Sequence, residues 1–246
     1  MAFCQSETYQ PDYDSDGCIT VVDLTAFLSG FGSCEEASDT TAFQCGEAVS
    51  FHGYQYSTVQ IGEQCWFSEN LRTSLFTNGD PIPNIEDDNE WDSGSPAYCE
   101  YLNNNSIGAI YGNIYNGHAV NDGRGICPTG WHVPTETEWS SLELHLGMPL
   151  GELDDINWRG EGIGDMLKAD STITPQWNGN NSSGFSAIPA GARGTAIFYG
   201  IEELVHFWTG SGLWYRQLSI SETRIYRKES NWRVGMSVRC MLSDAQ

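Results

Sequence analysis

The sequence predicts an α+β fold in which short antiparallel strands dominate, two helices interrupt them, and a small N-terminal calcium loop and helix come first. Three observations carry this expectation. Stretches such as "YQYSTVQIGEQCWF" and "WYRQLSISETRIYRKE" alternate apolar and polar residues between Gly-, Ser- and Asn-containing turns. "PTETEWSSLELHLG" opens like a capped helix. "DYDSDGCITVVD" spaces its acids as a hard cation requires.

Composition narrows the class. With 246 residues, 39% hydrophobic and 12% aromatic, the chain can bury a core, which excludes global disorder. Twenty-seven Gly and only 18% charged residues suit a loop-rich, β-leaning fold. Thirty-three acids against 11 Lys and Arg give a net charge of −22, which argues against nucleic acid and anionic membrane as general partners. No apolar run is long enough to span a bilayer and no signal peptide is present, so "MAFCQSETYQ" reads as a mature start or a cut fragment. Cys4, Cys18, Cys34, Cys45, Cys65, Cys99, Cys127 and Cys240 lack the paired spacing of zinc knuckles, and the His are scattered. Disulfides formed in an oxidising, extracellular setting are the better reading. Spacing leaves their connectivity open, with Cys127–Cys240 the preferred pair.

Residues 1–34 form the first expected unit and 35–44 a linker; together they hold eight acids and no Lys or Arg. Asp12, Asp14 and Asp16 stand at positions 1, 3 and 5 of a twelve-residue loop, with Gly17 at the turn and Asp23 closing at 12. Cys18, through its carbonyl, and Thr20 complete the expected Ca²⁺ ligands. Leu24, Phe27, Leu28 and Phe31 then follow helical spacing. The closing Asp resembles a type I dockerin repeat, of which this chain shows one where dockerins normally carry two.

From Cys45 the texture changes. Tyr54–Arg72 reads as a hairpin turning at Ile61–Gly62, and Thr73–Asn105 as a long loop region. Thr135 is the expected N-cap of a helix with Glu138 as the return arm of a capping box and Trp139, Leu142 and Leu146 as its buried stripe. A shorter helix is expected at Ile163–Ala169, a strand in "GFSAIPAGAR" and a core strand in "HFWTGS". The end of the chain reads as three strands joined by "SISET" and "KESNW". Ile225 faces inward with Arg224 and Tyr226 outward. Val234, Met236, Val238 and Cys240 face one way, with Gly235, Ser237 and Arg239 opposite.

Taken in order, "YSTVQIGEQCWFSENLR", "NGDPIPN", "YGNIYNGHAV", "GRGICPTGWHVPTETEW", "SSGFSAIPAGAR", "FWTGSGLWYRQL" and "GMSVRC" resemble the Fibrobacter succinogenes major paralogous domain across residues 45–242. Two positions depart from its pattern: Trp208-Thr209-Gly210 stands for Trp-Ser-Ser, and Met236 for Phe. That family is similar to C-type-lectin-like proteins, and "PTETEW" resembles a motif of formylglycine-generating enzymes. The resemblance implies small twisted antiparallel sheets with two flanking helices and with first and last strands meeting. It also implies late strands that carry ligands, and a secreted bacterial surface protein with no assigned reaction. Some lectin-like folds display hypervariable residues near the C-terminus; by that analogy Trp208, Val234, Met236, Val238 and Cys240 are frame, and residues 214–233 hold display positions.

The function expected is a cell-surface binding module, with adhesion to a glycan or protein through the C-terminal strands. Six of the 11 Lys and Arg fall within residues 214–240, interleaved with aromatics. Trp214, Tyr215, Arg216, Arg224, Tyr226, Arg227, Trp232 and Arg233 are the expected contacts, since flat rings and guanidinium forks suit sugars, carboxylates and sulfates. Five cations against two Glu between Trp214 and Arg233 favour an anionic ligand. The alternative is a self-assembling, calcium-stabilised subunit of an extracellular fibre. An enzyme is not expected: the copper chemistry of the formylglycine-generating enzymes needs a second Cys five residues before Cys240, and Gly235 stands there.

Overall fold

The structure is a computed structural model describing residues 18–21, 24, 25 and 43–243. The chain divides into two compact units, Met1–Gln44 and Cys45–Gln246. In the first, the Leu24 N–H donates to the Thr20 carbonyl (3.3 Å) and the Thr25 hydroxyl to the Val21 carbonyl (2.7 Å), a helical turn after the acidic loop. Cys18 and Thr20 are exposed, while Asp12, Asp14, Asp16 and Asp23 lie outside the described residues. Among the described residues no group of three His, Cys, Asp or Glu is placed to hold a metal.

The second unit is α+β. A two-stranded ribbon, β1 (Val49–Phe51) with β2 (Tyr54–Tyr56), leads into the expected hairpin of β3 (Thr58–Ile61) and β4 (Gln64–Phe67). Gly62 turns that hairpin at φ +61°, where a Cβ would stand 2.9 Å from the His145 ring, so both backbone and space require glycine. Further strands are β5 (Tyr98–Cys99), β6 (Ile114–Asn116), β7 (Trp131–His132), β8 (Asn157–Arg159) and β9 (Ala190–Arg193). Then come β10 (Phe198–Ile201), β11 (Leu204–Trp208), β12 (Trp214–Ser219), β13 (Ile225–Glu229), β14 (Gly235–Met236) and β15 (Met241–Leu242). The large sheet runs β5-β6-β14-β9-β11-β12-β13-β8 with β10 on β9, and a smaller one runs β3-β4-β15-β7. The last strand, β15, therefore meets the early β3–β4 hairpin, Met241 lying opposite Trp66, while β1 pairs with β2.

Helices α1 (Asp88–Trp91), α2 (Asn105–Tyr111) and α3 (Gly117–Val120) fill stretches without helical periodicity, α1 within the expected loop region 73–105. Each is short and capped by the side chain before it: Asp87, Asn104 and Asn116. Helix α4 (Glu136–His145) starts as expected, with Thr135 and Glu138 in a reciprocal capping box. Helix α5 (Ile163–Leu167) is the expected short helix.

Helix α4 lays Trp139 and Leu142 against Phe185, Val205, Phe207, Leu218 and Ile225, the main core. A second core joins Trp208, Met236, Val238 and Cys240 to Tyr115 and Phe67. Cys127 bonds Cys240, the preferred pair, and Cys45 bonds Cys65; Cys99 is a buried thiol. The third late strand departs from the alternating pattern. Residues 235–241 are buried on both faces, because Met236, Val238 and Cys240 pack into the second core while Gly235 lies against Ile114 and Trp91 and Arg239 is enclosed by the carbonyls of Phe67, Phe185 and Ser186. No helix among the described residues is long and apolar enough to cross a membrane.

Candidate functional site

Residues opposed across antiparallel strands share a face. Val205↔Leu218, Phe207↔Arg216↔Arg227 and Ile225↔Arg159 define the inner face of the late strands, against α4. His206↔Gln217↔Tyr226↔Trp158 and Trp208↔Tyr215↔Lys228 define the outer face. The two faces have different chemistry.

Charge is concentrated inside. Glu143 and Glu136, seven residues apart and so on one side of α4, meet three guanidinium groups. Glu143 takes Arg159 (2.7 Å) and Arg216 (2.6 Å); Glu136 takes the other side of Arg216 (2.6 Å) and Arg227 (2.7 Å). Arg159, Arg216 and Glu143 are buried, and Arg227 stacks over Trp214 at 3.9 Å. Burial, with Arg216 and Arg227 adding to it, pushes the Arg159 pKa down against the pull of Glu143.

The other late cations are also engaged. Arg224 is clasped by Glu222 (2.8 Å) and Arg233 meets Asp92 (2.9 Å). Arg239 is buried and donates to Asn70 Oδ1 and to the carbonyls of Phe67, Phe185 and Ser186, and burial lowers its pKa to about 9. Among the described residues, Lys228 is the one Lys or Arg with neither an ion pair nor a carbonyl cage recorded. The expected cations are thus mostly paired, Arg224 by Glu222 two residues away and Arg216, Arg227 and Arg233 by Asp92, Glu136 and Glu143 from distant segments.

Rings are concentrated outside. Trp158–Tyr226 (4.9 Å), Tyr226–Tyr215 (6.1 Å), Tyr215–His206 (5.0 Å) and His206–Tyr199 (5.8 Å) form a continuous row from β8 across β13, β12 and β11 to β10. All but His206 are half-buried, held by neighbours yet open to solvent on one side. The Tyr226 hydroxyl donates to Asn157 Oδ1 (3.0 Å), and Gln217 lies between the rings on the same face. Burial raises the Tyr199 and Tyr215 phenol pKa values, so both remain neutral donors.

His206 at the centre is 5% exposed, and neither ring nitrogen has a hydrogen-bond partner. Burial pushes its pKa down to about 4, against a weak upward pull from Gln217. The unfolded chain binds this proton near pH 6.5 and the folded one only near pH 4, so the contribution is intact above pH 6.5 and lost as pH falls towards 4, up to about 3 kcal/mol in all. His206→Phe is expected to lose about 2 kcal/mol less stability than the wild type between about pH 7 and pH 4.5, read by urea unfolding.

Of the expected contact residues, the structure brings Tyr215 and Tyr226 together on the outer face. Arg216, Arg227 and Trp214 belong to the inner one. Arg224 sits at a strand end, and Trp232 and Arg233 line a separate cleft. Sequence reading missed Trp158, Tyr199 and His206, whose only signal was an aromatic or His at alternating positions in neighbouring strands. Of the two acids in the first turn of α4, only Glu138 serves the cap. Glu138 additionally accepts from His132 (2.8 Å), whose other nitrogen meets the Ser243 hydroxyl (2.9 Å). Ser243, His132 and Glu138 thus form one hydrogen-bonded chain, and the Ser243 N–H donates to the Gly130 carbonyl.

The second unit is thus a disulfide-bonded α+β domain whose sheets are mainly antiparallel, with β9 and β11 parallel. Residues 59–241 match the family model described as the Fibrobacter succinogenes major domain, and the chain belongs to that family. Comparison with curated proteins and with solved structures found no match.

Proposed function

We propose that the domain is a secreted, lectin-like binding module of a bacterial surface that holds an uncharged glycan chain along its outer aromatic row. The observation that carries this reading is the row itself. Three strand-to-strand steps of about 4.8 Å make the stretch from Trp158 to His206 roughly 15 Å long, enough for several sugar rings. Ring faces stack on the apolar faces of sugars, and the Tyr hydroxyls, Gln217 and Asn157 offer hydrogen bonds between them. Pairing of Arg216 and Arg227 on the inner face leaves Lys228 as the one cation beside the row, which favours a neutral chain over an anionic one. Two disulfides support an oxidising, extracellular location. Ca²⁺ binding at Asp12, Asp14, Asp16, Cys18, Thr20 and Asp23 rests on their spacing alone.

A glycan array tests the reading. The wild type is expected to retain neutral oligosaccharides, and Tyr215→Ala/Tyr226→Ala to bind them at least about tenfold more weakly, a loss of about 1.4 kcal/mol. Unchanged binding by a folded double variant sinks the site.

A further inference from the structure

A second concave site stands apart from the aromatic row. Asp92, Ser93, His118, Thr195, Trp232 and Arg233 line a cleft of about 450 Å³. Its floor is tied down. The Gly117 N–H donates to the Trp232 carbonyl (2.9 Å), and a Cβ on Gly117 would stand 3.0 Å from Trp232, so the two backbones touch. Trp91 Nε1 donates to the Arg233 carbonyl (2.6 Å), and the Arg233 N–H to Asn231 Oδ1 (3.0 Å). On this fixed turn the Trp232 indole is 38% exposed. The His118 ring stacks on it, 23° from parallel with centroids 5.4 Å apart, and so backs one face of the indole and holds it in place.

Beside the indole, Arg233 Nε meets Asp92 Oδ1 at 2.9 Å while the guanidinium stays largely exposed. The pair presents donors and acceptors side by side and is neutral in sum. In helix α1, close in sequence to Asp92, Asp88 is neutralised by Arg193 (3.0 Å), whereas Glu90 adds negative charge and disfavours an anion. Ser93 and Thr195 supply two hydroxyls at the rim. A flat apolar face with an adjacent donor–acceptor pair matches one ring carrying neighbouring hydroxyls.

We propose that this cleft binds a single neutral pyranose unit, its apolar face on the exposed part of the Trp232 indole, which His118 braces, and two adjacent hydroxyls on the Asp92–Arg233 pair. None of the six residues belongs to the aromatic row, so the cleft stands or falls independently of it.

The test follows the indole N–H resonance of Trp232, assigned by its loss in Trp232→Ala, in ¹⁵N-labelled protein titrated with glucose, galactose, mannose, N-acetylglucosamine and glucuronate. At least one neutral sugar is expected to shift it saturably, at concentrations up to about 50 mM, well above a Kd of about 1 mM. Asp92→Asn is expected to weaken that sugar by about tenfold or more, and Tyr226→Ala to leave it unchanged. The proposal is overturned by any of four outcomes: no neutral sugar moves the resonance, glucuronate binds as well as glucose, Asp92→Asn has no effect, or Tyr226→Ala abolishes the response.

Discussion

Glu143→Gln is expected to destabilise the domain by about 3–5 kcal/mol, because it leaves the buried Arg159 and Arg216 with too little negative charge to offset their lost hydration. Glu143 alone contacts both, at 2.7 and 2.6 Å. Gln keeps the volume and can still accept hydrogen bonds, so the loss isolates charge from packing. A companion variant sharpens the test. Glu143→Leu/Arg159→Met/Arg216→Met removes all three buried charges and leaves Glu136 paired with Arg227, and it is expected to unfold close to the wild-type denaturant midpoint. A single Gln variant as stable as the wild type contradicts the assignment of Glu143 as the counter-charge.

Loss of the Cys127–Cys240 disulfide is the second large effect. The bond spans a sequence separation of 113 and closes the chain from the segment before α4 to the end of the buried run 235–241. Opening a loop of that length releases unfolded-state entropy worth about 4–5 kcal/mol, within a general range of about 2–5 for native disulfides. Cys127→Ala/Cys240→Ala is therefore expected to shift the urea midpoint strongly downwards, and added reductant to have less effect on this variant than on the wild type. Cys240 sits in the same core as Trp208, Met236 and Val238, so side-chain packing is lost together with the cross-link.

Local signals were readable in the sequence, and long-range pairings were not. The Thr135–Glu138 capping box, the Gly62 turn and the inward Ile225 follow from chemistry within a few residues, and all three stand in the structure. The partners of Arg216 lie 73 and 80 residues earlier, and nothing near Arg216 announces them. Glu143 is the instructive case. It lies one residue beyond Leu142 in the apolar stripe, where an exposed acid is the ordinary expectation, yet it is fully buried because two guanidinium groups arrive from β8 and β12. Counting charges along residues 214–233 suggested a positive surface; pairing them in space shows cations committed to the scaffold. The aromatic row was half legible. Alternation put Tyr226 outward, but joining it to Trp158, His206 and Tyr199 required the strand order. Helices α1 and α3 have four residues each, too few for any period to show.

Lys228 apart, the late strands thus keep their cations on the inner face and turn Tyr215 and Tyr226 outward, and salt dependence of ligand binding tests that division most directly. For the glycan best retained on the array, titration calorimetry at about 50 mM and about 500 mM NaCl is predicted to give Kd values within about twofold, since stacking and neutral hydrogen bonds are little screened. Contradiction would be a preference for anionic glycans whose affinity falls tenfold or more over the same range, the behaviour of a site that binds through its cations.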